Sequence, residues 1–121
     1  MDCLFCKIVN KDIPAQVIYE DDQVIAFNDI NPQAPLHFLV VPKKHISTLN
    51  DINEDDRELV GHMVMTAGKI SKNQGIAEDG YRTVFNCNNH GGQTVYHIHL
   101  HVLGGKAMGW PPYQATLKQP I

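Results

Sequence analysis

The sequence predicts an α+β fold: a five-stranded antiparallel sheet with one long helix and a short N-terminal helix. Two observations carry that prediction. Five short runs rich in β-branched and aliphatic residues follow one another between turn residues, and one long stretch in the middle carries apolar residues at helical spacing. Strands linked through short turns and interrupted once by a helix give an antiparallel sheet with helices on one side.

In chain order, Cys3 to Ile13 places Leu4, Phe5, Ile8, Val9 and Ile13 at a spacing that suits one or two helical turns ending before Pro14. Val17-Ile18-Tyr19-Glu20 and Gln23-Val24-Ile25-Ala26-Phe27 read as a hairpin closed by Asp21-Asp22. The turn-rich segment Asn28 to Pro35 then delivers the chain to His37-Phe38-Leu39-Val40-Val41, which Pro42 ends. Asn53-Glu54-Asp55-Asp56 offers a cap and an acidic first turn to a helix whose apolar residues are Leu59, Val60, Met63, Val64, Ala67 and Ile70, continuing until Gly75. His62 on that helix reads as a surface or packing residue. Tyr81 to Asn86 is the fourth strand, Asn88 to Gly92 a turn-rich loop with His90 at its tip, and the run through His97, His99 and His101 the fifth. Gly109-Trp110-Pro111-Pro112 begins an irregular tail.

Composition narrows the function. A chain of 121 residues suits a single domain spanning 1–121 that buries roughly two thirds of its unfolded surface without disulfides. No apolar run approaches the roughly 20 residues that cross a bilayer, so no membrane partner is expected. The start, Met1-Asp2-Cys3-Leu4-Phe5-Cys6, lacks the basic region and apolar core of a cleaved signal, so a cytoplasmic location is expected. Cys3, Cys6 and Cys87 are an odd count that argues against a disulfide framework, leaving metal binding or plain burial open for the first two and packing for Cys87. A net charge of -3 with no basic cluster argues against long nucleic acids, where affinity rests on neutralising many phosphates. Small charged ligands fit.

The chemistry concentrates in the fifth run. At alternate positions of a strand His97, His99 and His101 share one face while Ile98, Leu100 and Val102 take the other. Three such histidines cannot easily wrap one ion: at about 3.3 Å per residue the outer α-carbons stand about 13 Å apart, and zinc needs nitrogens about 2.1 Å from one centre. A metal reading therefore needs ligands from elsewhere. Neutral imidazoles are good nucleophiles and bases near neutral pH, and flanking ones donate to phosphate oxygens or move protons. Gly91 and Gly92 let backbone amides approach an anion, Gln93 and Thr94 add donors, and the loop stands close enough to present a phosphate to the histidines.

His97-Ile98-His99-Leu100-His101-Val102-Leu103 resembles the His-x-His-x-His-x-x signature of the histidine triad (HIT) superfamily. Gly91 to Tyr96, the Asn28 to Pro35 loop, Val41-Pro42-Lys43-Lys44-His45-Ile46 and Trp110-Pro111-Pro112 look like its Hint branch, so the resemblance covers nearly the whole chain. It implies the HIT fold pairing into a homodimer, and a phosphoramidase that binds a purine nucleotide such as AMP or GMP and cleaves nucleoside 5′-phosphoramidates. In that reading His99 attacks the α-phosphorus, His101 holds the phosphate, His97 orients its neighbour, and His37 relays protons to His99. Asp29 takes the ribose hydroxyls, while Phe5, Ile8, Phe27 and Ile30 form the base pocket. Asn86, Gly92, Gln93 and Thr94 contact the phosphate or leaving group, and Trp110 approaches the partner protomer's site. Thr94 stands where the family often has serine.

The chemistry needs no cofactor. Some bacterial relatives with the N-terminal cysteine pair bind zinc, which here implies a structural zinc on Cys3, Cys6, His45 and His97. Without the resemblance, His37 and Asp29 suit a strand end and an Asx turn as well as function, and Phe27 suits the core. Two rivals share the triad: a dinucleoside polyphosphate hydrolase, and a nucleotide-sensing or scaffold protein with incidental hydrolysis.

Overall fold

The computed structural model describes residues 3–112. Met1, Asp2 and residues 113–121, which include the end of the expected tail, lie outside the described residues. The elements are α1 (Leu4–Val9), β1 (Val17–Glu20), β2 (Val24–Asn28), β3 (Leu36–Pro42), α2 (Arg57–Asn73), β4 (Tyr81–Val84) and β5 (Leu100–Gly104). The strands make one antiparallel sheet in the order β1-β2-β3-β5-β4.

The two helices lie on opposite faces of this sheet, which corrects the expectation of helices on one side. The reason is in β2 and β3, whose consecutive residues are buried whichever way they point. Val24, Ala26, Phe38, Val40, Leu100 and Val102 pack against Met63, Ala67 and Ile70 of α2. The alternate residues Ile25, Phe27, Leu39 and Val41 pack against Cys3, Phe5 and Ile8 at α1. A strand that is apolar at every position has to be covered twice. Each fully buried side chain of the size of Phe38 is worth about 1.5–3 kcal/mol.

Asn53 does cap, with its side chain accepting from the Asp55 amide at 2.9 Å, but the cap opens a 3-10 turn over Glu54–Asp56. α2 proper starts at Arg57. Asp56, buried at that junction, accepts from the Asn53 amide at 3.1 Å and from Lys44 Nζ at 2.5 Å. Lys44 thus fixes the segment that carries His45 to the helix start. Asp21 at the hairpin tip accepts from the Gln23 and Val24 amides, from Tyr19 Oη at 2.8 Å and from His62 Nε2 of α2 at 2.7 Å. His62 is therefore a half-buried tie between helix and hairpin.

β5 begins at Leu100, so His97 and His99 precede the strand rather than lying in it. The ladder with β3 stops at the Val40 and Leu100 pair. Beyond it β3 reaches Pro42, which has no N–H to give, and the Ile98 amide turns instead to the Ile46 carbonyl at 2.8 Å. β4 is shorter than the expected Tyr81 to Asn86: its ladder with β5 ends at the Val84 and His101 pair, one residue short of the start of β5, and Asn86 would fall opposite His99, which precedes the strand. The alternation survives: Ile98, Leu100 and Val102 all enter the core beneath α2.

Candidate active site

Register places the site on the α1 side of the sheet. Phe27, Leu39, His101 and Val84 form one cross-strand row, and the next row carries His37, Leu103 and Arg82. Beside them is a pocket of about 340 Å³. Leu4, Phe5, Ile8, Phe27 and Leu39 give it an apolar wall, and Asp29, Thr94, His99 and His101 supply polar groups. Ile30 lines its mouth and is fully solvent-exposed at 100%. Phe5 meets Phe27 edge to face at a centroid separation of 5.6 Å and His99 at 5.0 Å.

Backbone groups fix the histidine tautomers. His99 donates Nδ1–H to the His97 carbonyl at 2.8 Å, which leaves its Nε2 with a free lone pair. The Gln33 amide donates to His37 Nδ1 at 3.0 Å, so the His37 proton is on Nε2. That Nε2–H donates to His101 Nδ1 at 2.9 Å, and His101 in turn carries its proton on Nε2, the nitrogen left for a ligand. Asp29 Oδ2 lies 3.4 Å from His37 Nε2, while its Oδ1 accepts from the Asn31 amide at 2.8 Å and closes the loop. The His99 and His101 rings stand 4.9 Å apart.

All of these imidazoles are held toward the neutral form. Burial lowers His37 against the opposing pull of Asp29. Burial lowers His99 against its bond to the His97 carbonyl and the charge of Asp29. His101 is pushed down to about 4 by burial, then by His99 and His37. A charged imidazole pays the desolvation cost, so the row rests as bases rather than cations.

The loop before the triad is held largely by its own side chains. Buried Gln93 donates Nε2 to the Ser47 carbonyl at 2.8 Å and the Val95 carbonyl at 3.0 Å, and its Oε1 accepts from the Asn88 amide at 2.9 Å. Asn86 Nδ2 donates to the Gly91 carbonyl at 2.7 Å. A Cβ at Gly91 would stand 2.4 Å from the Cys87 carbonyl oxygen, and Gly92 takes φ +78, so each position requires glycine. Of the expected loop contacts, Thr94 reaches the pocket wall, while Asn86, Gly92 and Gln93 shape the loop behind it. Trp110 lies beside Arg82, 5.9 Å from guanidinium carbon to ring centre, and the Arg82 guanidinium donates to the Gly109 carbonyl at 2.7 Å. Leu39, Ile13, Pro14, Ala15 and Val95 are pocket residues that sequence reasoning missed. Leu39 was legible as the residue two beyond His37 on the same strand face.

Cys3, Cys6, His45 and His97 converge, their ligand atoms all within 4.8 Å of one another. His45 Nδ1 and His97 Nδ1 are 3.1 Å apart, and sulfur to nitrogen separations are 3.3 Å for Cys6 to His45, 3.5 Å for Cys3 to His97 and 3.6 Å for Cys6 to His97. Tetrahedral ligands at zinc bond lengths stand about 3.3 Å apart for nitrogen pairs and about 3.6 Å for nitrogen with sulfur. The tautomer agrees, since His97 donates Nε2–H to the Pro42 carbonyl at 2.7 Å and so keeps Nδ1 bare. Ser47 Oγ stands 3.3 Å from His45 Nε2, the outer nitrogen of the other imidazole. Burial, then the neighbouring Cys3 thiol, push the Cys6 thiol up, and a cation beside it is what holds such a group as thiolate. The four residues form a metal-binding group compatible with a structural zinc.

A second group, Asp29, His37 and His101, is equally close-set, but its chemistry is wrong for a metal. His37 Nδ1 already accepts the Gln33 amide, so Nε2 carries the proton and has no lone pair to give.

A family model described as "Scavenger mRNA decapping enzyme C-term binding" matches residues 2–110. The chain is 49% identical over 108 residues to the purine nucleoside phosphoramidase of Escherichia coli (strain K12), covering 89% of this chain and 91% of that one. A HIT family hydrolase from Legionella pneumophila Philadelphia 1 superposes with a TM-score of 0.91 at 56% identity, covering 93% of this chain and 100% of that one. A histidine triad protein from Clostridium difficile superposes with a TM-score of 0.88 at 49% identity, covering 94% and 97%. On the histidine row, the fold around it and these matches, the chain belongs to the histidine triad family.

Proposed function

We propose that the chain is a purine nucleotide-binding hydrolase that cleaves the P–N bond of nucleoside 5′-phosphoramidates through a nucleotidyl-histidine intermediate on His99. The observation that carries this is the His99 Nδ1–H bond to the His97 carbonyl, which leaves an unprotonated Nε2 on a residue of the pocket wall. The name of the Escherichia coli relative supports the substrate class.

His99 Nε2 attacks the α-phosphorus, the phosphorus–amine bond breaks, and the amine leaves with a proton. His101 Nε2–H donates to a phosphate oxygen, and His37, bonded to His101 rather than to His99, relays protons through it. Water then cleaves the phosphorus–imidazole bond and releases the nucleotide. Phe5, Ile8, Phe27 and Ile30 hold the base, Asp29 the ribose hydroxyls, and Thr94 a phosphate or leaving-group atom, with Asn86, Gly92 and Gln93 forming the loop that presents it. A zinc on Cys3, Cys6, His45 and His97 would supply a structural crosslink and leave His99 free.

The functional unit is a homodimer in this reading. Its support is an open face: Met65 is 75% exposed on α2 beside half-exposed Val64, and among the described residues a Cβ at Gly61 would meet nothing within 4 Å and β4 stands at the edge of the sheet. Trp110, 81% exposed, extends toward the partner's pocket. Among the described residues no helix is long and apolar enough to cross a membrane, and the three free cysteines suit a reducing cytoplasm.

Turnover of adenosine phosphoramidates beside diadenosine polyphosphates, for wild type and His99→Ala, tests the assignment. The expected result is turnover of the phosphoramidates and a nucleotide trapped on His99 with a slow substrate. Preferred cleavage of diadenosine polyphosphates, or turnover that persists with no adduct on His99, overturns it.

A further inference from the structure

The metal-binding group and the pocket share one short element. Cys3 is the N-cap of α1 and accepts the Cys6 amide through its sulfur, and both thiols face His45 and His97. Phe5, between the two cysteines, turns to the pocket with its ring against His99 and Phe27, and Ile8 lines the same wall one turn later. A six-residue helix has no stability of its own in water. Its position depends on what docks it, namely the buried Phe5 and Ile8 and the two thiols. If α1 leaves, the pocket loses Leu4, Phe5 and Ile8 together, while Leu39 and Phe27 on the sheet stay.

We infer that Cys3 and Cys6 are positioning residues of the nucleotide pocket: a divalent cation held with His45 and His97 pins α1, so metal and nucleotide each raise the affinity for the other. This rests on the reading of the pocket as a nucleotide site. The linkage is reciprocal by necessity, and couplings of this kind are typically about 5-fold to 150-fold.

The probes are zinc and AMP. Calorimetric titration of AMP into zinc-loaded and chelator-stripped protein is expected to show binding weakened about 10-fold on stripping, restored when zinc is returned. Competition for zinc against a chromophoric chelator, corrected by a protein-free blank for zinc bound to AMP itself, is expected to show the metal held more tightly by the same factor when AMP saturates the protein. That second measurement starts from loaded protein and so holds even if the stripped chain unfolds, which circular dichroism reports. Failure of loaded wild type to bind AMP defeats the nucleotide reading instead. AMP binding by loaded protein with zinc retention unmoved by AMP overturns the coupling.

Discussion

The attack proposed for His99 draws on a bond made on the far side of its ring. Its Nδ1–H is committed to the His97 carbonyl, so Nε2 has the lone pair without any neighbouring base. His99→Ala is expected to lower kcat by about 10³-fold or more, the scale seen when a nucleophile is removed and only binding remains, while AMP affinity changes little; initial rates and calorimetry measure the two. The acid limb of kcat/KM is expected below the ordinary imidazole value of about 6.5, because His99 is lowered mainly by burial. Stability follows the same sign. His101 titrates at about 4 in the fold and near 6.5 when unfolded, so between those values the unfolded chain binds the extra proton. The contribution is therefore complete above about pH 6.5 and declines toward about pH 4. Urea midpoints across that range are expected to fall less steeply in His101→Gln than in wild type.

At the scale of elements, the tie between hairpin and helix runs through one carboxylate. Burial works to raise Asp21, but the Gln23 amide, His62, the Val24 amide and Tyr19 outweigh it and hold the group well below the ordinary carboxylate range. Asp21→Ala strands four donors and is expected to cost about 1–3 kcal/mol in denaturant unfolding, with the phosphoramidase rate unaltered because the site is on the other face of the sheet. Asp21 was legible as a turn residue but its bond to His62 was not, since nothing local relates positions forty-one apart. The same limit explains the short β5. The alternation of His97, His99 and His101 with aliphatic residues was legible and correct, whereas the strand start depends on Pro42 of another strand. The second face of the sheet was present in the sequence, in the unbroken apolar runs Val24 to Phe27 and Phe38 to Val41, which half-buried strands do not have. The four-residue metal group came from family resemblance; spacing alone left the cysteine pair open, because His45 and His97 approach it only in three dimensions.

Across the whole molecule, one face of the sheet carries the candidate site, and α2 with the β4 edge leaves apolar surface on the other side. If two copies close over that surface, Met65→Arg buries an unpaired charge at the contact, and light scattering is expected to report the monomer mass where wild type reports twice it. A monomeric wild type removes the dimer from the proposed function. The chain has a single tryptophan, and Trp110 is solvent-exposed beside the guanidinium of Arg82. Arg82 shares its cross-strand row with His37. The protein thus contains its own optical reporter: emission near that of indole in water for the free chain, and a blue shift or quenching when a ligand or second protomer covers the ring, readable without any label.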